Sequence, residues 1–166
     1  MSSDSSVDVD ADRPLQERHW AISRVSWLIM LALLLVAALG LTGSGGVLSR
    51  QQATAGAAEL DVPRVSRWAA ADNLAVRVPQ DTTGDIEITV PNEFAEMFAI
   101  ESIAPQPSSV SATPNGHRYQ FESSPGPGKR SIVFSIRASR PSLPTHIGRF
   151  AVNGETTGEL PIVVLP

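Results

Sequence analysis

Hydrophobic positions follow two different rules along the chain. From Val25 to Leu41 they are continuous: Ser26 is the one polar side chain, and no charge falls between Arg24 and Arg50. A run this long and apolar predicts a helix crossing a bilayer. Over residues 25–44 it would carry Val25, Trp27, Leu31, Leu35, Leu39, Gly40 and Ser44, and twenty residues at 1.5 Å each span about 30 Å, the thickness of the hydrocarbon layer. Ten of the residues from Val25 to Leu41 are Leu, Ile or Val, so insertion gains at most about 3 to 6 kcal/mol. From Leu60 onwards the pattern becomes alternation with period two, the mark of half-buried strands. Leu74, Val76 and Val78 form one such set; Ile86, Ile88 and Val90 form a second, and Ile132, Phe134 and Ile136 a third.

Further strands are expected at 61–65, 98–103, 109–112, 117–121, 149–152 and 160–165. Pro161 should mark the start of the last one or place it on an edge. Asn115-Gly116 and Asn153-Gly154 supply residues that tolerate the positive φ of tight hairpins, and most prolines fall between the runs. The one helix expected in this region covers 91–97, with Asn92 as its cap and Phe94, Met97 and Phe98 on its apolar face. Many short strands without long intervening helices predict a mainly β fold, a small immunoglobulin-like antiparallel β-sandwich following the transmembrane helix. Its core would hold Trp68, Phe98, Phe121, Phe134 and Phe150. The expected organisation is therefore a disordered cytoplasmic tail at 1–24, a signal-anchor helix at 25–44, a flexible tether at 45–59 and an extracytoplasmic domain at 60–166.

Charge decides the expected direction of the span. Arg13, Arg18 and Arg24 precede it and only Arg50 follows at similar distance, which puts the N-terminus in the cytoplasm. A cleaved signal peptide is the competing reading, but its best small-x-small site, Ala53 with Ala55, lies a dozen residues past Leu41. Gly40 and Ser44 have small-xxx-small spacing, which at a single pair is ordinary helix composition.

Composition removes several chemistries. The chain has no cysteine, which excludes disulfides, thiolate metal sites and thiol nucleophiles. His117 and His146 lack acidic or histidine partners at metal-ligand spacing, so no metal and no cofactor are expected. Pro125-Gly126-Pro127-Gly128-Lys129-Arg130 lacks the first glycine, the hydroxyl residue and the following helix of a phosphate loop. Asp81-Thr82-Thr83-Gly84-Asp85 reads as a turn between strands, and no Gly-x-Ser-x-Gly elbow occurs. Residues 60–166 hold nine basic and eleven acidic side chains, a net of −2, which gives no footprint for nucleic acid.

The anchor ending in Gly40-Leu41-Thr42-Gly43-Ser44-Gly45, the Ala-rich stretch after Leu48-Ser49, the strand at Leu60-Asp61-Val62 and the run from Phe98 to Pro105 resemble a group of short, uncharacterised bacterial single-pass membrane proteins with one small extracytoplasmic β-sandwich domain. That resemblance covers most of the chain and contains no catalytic motif. It implies an extracytoplasmic sandwich with a companion in the membrane. The function expected is non-enzymatic: an accessory protein whose partners are the lipid bilayer and another membrane protein. The alternative is a carbohydrate or cell-wall binding module. Tyr119, Lys129 and Arg130 are the candidate contacts for ligand or partner, with Trp68 the second polar-tipped aromatic of the domain.

Overall fold

The computed structural model describes residues 13–38, 48–79, 84–122 and 128–166. Leu39, Gly40, Ser44 and Asp81, and the proline-glycine segment at 125–127, lie outside them. The chain divides into two compact units, residues 1–38 and 39–166.

The first unit holds helix α1 (Arg13–Ala38). It begins twelve residues earlier than the apolar run, so residues 13–24, expected in a disordered tail, are helical. Pro14 falls in the first turn, where its missing N–H costs no helix bond, and the residues after it include no glycine. Residues Arg18–Ala38 are long and apolar enough to cross a membrane. Trp20, Trp27, Leu31 and Leu35 all lie exposed on this helix. One turn apart, the Arg24 guanidinium sits 4.7 Å above the Trp20 ring centre, a cation–π contact.

The second unit is mainly β, with three sheets among the described residues. One has the order β1 (Arg50–Ala55), β2 (Ala58–Pro63), β4 (Ala71–Pro79), β9 (Lys129–Ala138) and β6 (Phe98–Ala104). A second has β12 (Glu155–Thr156), β11 (Ala151–Val152), β5 (Ile86–Pro91), β8 (Gly116–Phe121) and β7 (Ser109–Thr113). The third joins β10 (Ser142–Ile147), β13 (Leu160–Leu165) and β3 (Val65–Arg67). Helix α2 (Asn92–Met97) connects β5 to β6. The three alternating sets face inward as their period requires: Leu74, Val76, Ile88, Val90, Ile132, Phe134 and Ile136 are all fully buried. Ring contacts hold the layers together. Phe134 of β9 meets Tyr119 and Phe121 of β8 edge-on at 5.3 and 6.4 Å. Phe94 of α2 stacks on Phe98 at 4.7 Å and meets Phe150 edge-on at 5.2 Å.

Several expectations give way to this geometry. The stretch expected as a tether at 45–59 contains strand β1, which pairs with β2 from Arg50↔Pro63 to Ala55↔Ala58. Gly56, at φ +57°, turns the hairpin, and Ala55 and Ala58 are buried on either side of it. A single guanidinium clips the hairpin to its sheet. Arg50 Nε donates to Asp61 Oδ1 (2.8 Å), Nη1 to Asp72 Oδ1 (3.0 Å), and Nη2 to the carbonyls of Asn73 (2.8 Å) and Asp61 (3.2 Å). Pairing is not wholly antiparallel: β13 runs parallel to β3 from Val163↔Val65 to Leu165↔Arg67. This also accommodates Pro161 inside a central strand, because β3 begins pairing only at Val163 and the proline has β10 alone beside it.

Trp68, expected in the core, is 54% exposed in the turn after β3. At the other hairpin the turn residues are Pro114 and Asn115, not Asn115 and Gly116, since Thr113 already pairs with Gly116. Gly116 is needed for close approach: a Cβ there would lie 2.0 Å from the Val90 carbonyl oxygen. Asn153 and Gly154 do form a turn, with φ of +52° and +85°, the double positive of a type I′ hairpin. Asn92 is not the cap of α2. Pro91 occupies that position without a side-chain bond, and Asn92 Nδ2 instead donates to the Pro114 carbonyl at 3.1 Å.

Candidate binding surfaces

The three candidate contacts do not assemble into one site. Tyr119 shares a face of β8 with Phe121 and alternates with Arg118 and Gln120, so its ring points into the core against Phe134 and it is only 7% exposed. Burial raises its phenol pKa above the ordinary value. It has no face to offer a sugar ring. Lys129 and Arg130 open β9 on the neighbouring sheet, opposite Pro79 and Val78. Lys129 Nζ lies 2.6 Å from Glu59 Oε1, and its hydrogen bond and charge hold that carboxyl below the usual glutamate range. Arg130 donates to the Glu122 carbonyl.

Arg137, further along β9, is similarly occupied. Arg137 Nε lies 2.5 Å from Glu101 Oε1 and Nη1 donates to the Ala69 carbonyl at 2.7 Å; the Glu101 bond raises the guanidinium pKa further. The charges of Lys129, Arg130 and Arg137 are thus divided in space into ion pairs and backbone bonds. Such exposed pairs contribute little stability each, because water screens them.

Several hollows lie among the described residues of the domain surface, one of about 530 Å³ bordered by Met97, Pro141, Leu143 and His146. A groove of about 610 Å³ runs over the outward face of β5, β8 and β11, lined by Glu87, Thr89, Arg118 and Arg149 among others. Its charges oppose one another: Arg118 Nε lies 3.2 Å from Glu87 Oε1. A smaller one of about 300 Å³ is bordered by Leu48, Val65, Ile162, Val163 and two prolines, with Arg64 beside it. Among the described residues, no three His, Asp or Glu side chains come together to hold a cation.

The sheet edges differ more sharply than the hollows. An unpaired strand edge exposes a row of N–H and C=O groups, which proteins blunt with charge, proline, bulges or short length. Strand β6 carries Glu101 and a bulge between Ile100 and Ser102. Strand β10 carries Pro144 and a register shift between Ser142 and Thr145. Strands β3 and β12 have three and two residues. Strand β1 is partly covered, with Gln51 Nε2 donating to the Pro161 carbonyl at 2.8 Å and Glu155 of β12 packed against Gly56.

Strand β7, Ser109-Val110-Ser111-Ala112-Thr113, has none of these devices. It has no charge, proline or bulge, and among the described residues it pairs only with β8. Gln120 and Gly116 hold it in place: Ser109 Oγ donates to Gln120 Oε1 (2.6 Å) and Thr113 Oγ1 to the Gly116 carbonyl (2.8 Å). Val110 pairs with Tyr119 and so shares its inward face, yet it is 56% exposed, beyond the rim of the packed core. Sequence reading found this strand but not its position, because edge or centre is decided by which strands fold beside it. An uncharged run of small and β-branched residues was the available signal.

No protein-family model matches the chain, and no curated protein is similar enough in sequence to count as a relative.

Proposed function

We propose that this chain is a membrane-anchored, non-enzymatic binding or accessory protein that associates with another membrane protein through a strand edge of its outer domain. The observation that carries this reading is the β7 edge, unpaired among the described residues, in a domain whose other edges are short, bulged, charged, proline-bearing or covered. Backbone pairing at such an edge is a general mode of protein recognition, in which main-chain bonds supply affinity and side chains supply selectivity. In this reading α1 crosses the membrane with its N-terminus in the cytoplasm, on the strength of Arg13, Arg18 and Arg24. The β-rich unit then lies outside the cytoplasm as a small sandwich of immunoglobulin-like kind. A cysteine at Ser5 should resist a membrane-impermeant thiol reagent in intact cells, while one at the exposed Glu96 should react; the reverse pattern sinks this topology.

The binding test is purification of the full chain in mild detergent, comparing the native sequence with Ser111→Lys, which places a charge on the open edge. A membrane protein should accompany the native chain and be depleted with the variant. Recovery of the chain with neither another membrane protein nor a second copy of itself, at any expression level, would overturn the reading. The exposed indole of Trp68 favours one other role, a carbohydrate or cell-wall binding module that stacks a sugar on that ring. Saturable retention on glycan or peptidoglycan, lost in Trp68→Ala, would select it instead.

A further inference from the structure

We infer that the companion at the β7 edge is a second copy of this chain, paired antiparallel with Ser111 opposite Ser111, so that two five-stranded sheets become one of ten. This rests on the binding reading above and names its partner. Self-pairing of an antiparallel edge about a two-fold axis is restricted by parity. Directly opposed residues must point to the same face, and a slip of one residue reverses every side chain. A pairing of Val110 with Ser111 is therefore excluded, because Val110 shares the inward face with Tyr119 while Ser111 lies with Arg118 on the outward face. The axis must pass through a residue. Only an axis through Ser111 uses the whole strand, matching Ser109 with Thr113, Val110 with Ala112, and Ser111 with itself.

That register is chemically self-consistent. Its outward face opposes hydroxyl to hydroxyl, a cross-strand pairing that forms hydrogen bonds. Its inward face brings the exposed Val110 onto the second copy's Ala112, sheltering apolar surface that the single domain leaves open. No charge meets a like charge, because the strand has none. A symmetric contact of this kind uses one patch on both subunits and closes on itself, which matches the commonest arrangement among oligomers. Five residues of edge make a small interface, so the pairing depends on both copies being held in the same membrane by α1.

The chain has no cysteine, so single-cysteine variants of the full-length protein in membranes report the register directly. Opposed residues have Cα atoms about 4.5 to 5.5 Å apart, within disulfide range. Ser111→Cys should give a reducible dimer under mild oxidation. In the same register two copies of residue 109 lie about 14 Å apart, so Ser109→Cys should give roughly tenfold less, as should Glu96→Cys on α2. Differently tagged native copies should co-purify, and Ser111→Lys should reduce that recovery several-fold. Equal cross-linking at 111, 109 and 96 would overturn the register and the pairing. If tagged copies fail to co-purify while another membrane protein is captured and lost in Ser111→Lys, self-pairing is wrong and the binding reading survives. If neither is captured, both fall.

Discussion

Replacing Arg50 by alanine should destabilise the outer domain far more than a surface arginine normally would. The guanidinium donates four hydrogen bonds, to Asp61, Asp72 and two backbone carbonyls, joining β1 to β2 and β4. Hydrogen bonds to charged groups contribute about 1.5 to 3 kcal/mol each when buried. Arg50 and Asp61 keep 34% and 23% of their side chains exposed, against 7% for Asp72, so solvent replaces part of what is lost. Asp72 also keeps the Ser66 hydroxyl at 2.9 Å and the Asn73 N–H at 2.8 Å. A net loss of about 2 to 3 kcal/mol follows, below the 3 to 5 of a fully buried pair. For a domain of this size that is a fall in melting temperature of about 10 °C, read by circular dichroism on residues 48–166. Arg50→Met retains the apolar stem and should fall nearly as far, which separates lost polar bonds from lost packing. The same reasoning requires that a fragment beginning at residue 60 be much less stable than one beginning at 48, since it lacks β1 altogether. A shift under about 2 °C for Arg50→Ala, or equal stability of the two fragments, would show that the clip and the first strand are dispensable.

Phe134→Ala removes the ring that Tyr119 and Phe121 both contact and should cost about 3 to 5 kcal/mol, measured by urea unfolding; a loss below about 1 kcal/mol would contradict the packing described. Gly116→Ala should disturb the β7–β8 hairpin, because the new methyl has no room beside the Val90 carbonyl, and amide exchange of β7 and β8 should accelerate locally. Glu59 has its pKa lowered by Lys129. Its ionised form is therefore favoured by folding, and the contribution is present above the ordinary value of 4.5 and lost as pH falls through the lower folded value. In a carboxyl NMR titration Glu59 should titrate below the ordinary glutamate value of 4.5 and return to it in Lys129→Ala; an unshifted native signal would remove the pair.

Strand alternation, the apolar helix and the Asn153-Gly154 turn were legible in the sequence because each rests on local physics. Leu74, Val76 and Val78 must share a face if they lie in a strand at all, and Asn-Gly takes positive φ wherever the turn is placed. The same rule held the clue to Tyr119, two residues from Phe121 and thus on its face, although a polar tip invited the opposite reading. Other features have no local cause. Arg50–Ala55 has no hydrophobic alternation and a single β-branched residue, Thr54, and becomes a strand because β2 offers an edge and two carboxylates receive its arginine. Ser142–Ile147 contains a proline and pairs because β13 runs beside it. Lys129 meets Glu59 across 70 residues of chain, and no composition rule pairs them. The bare edge at β7 is of this second kind. Its five residues determine that it can be a strand, and only the placement of the other strands leaves one side of it open among the described residues.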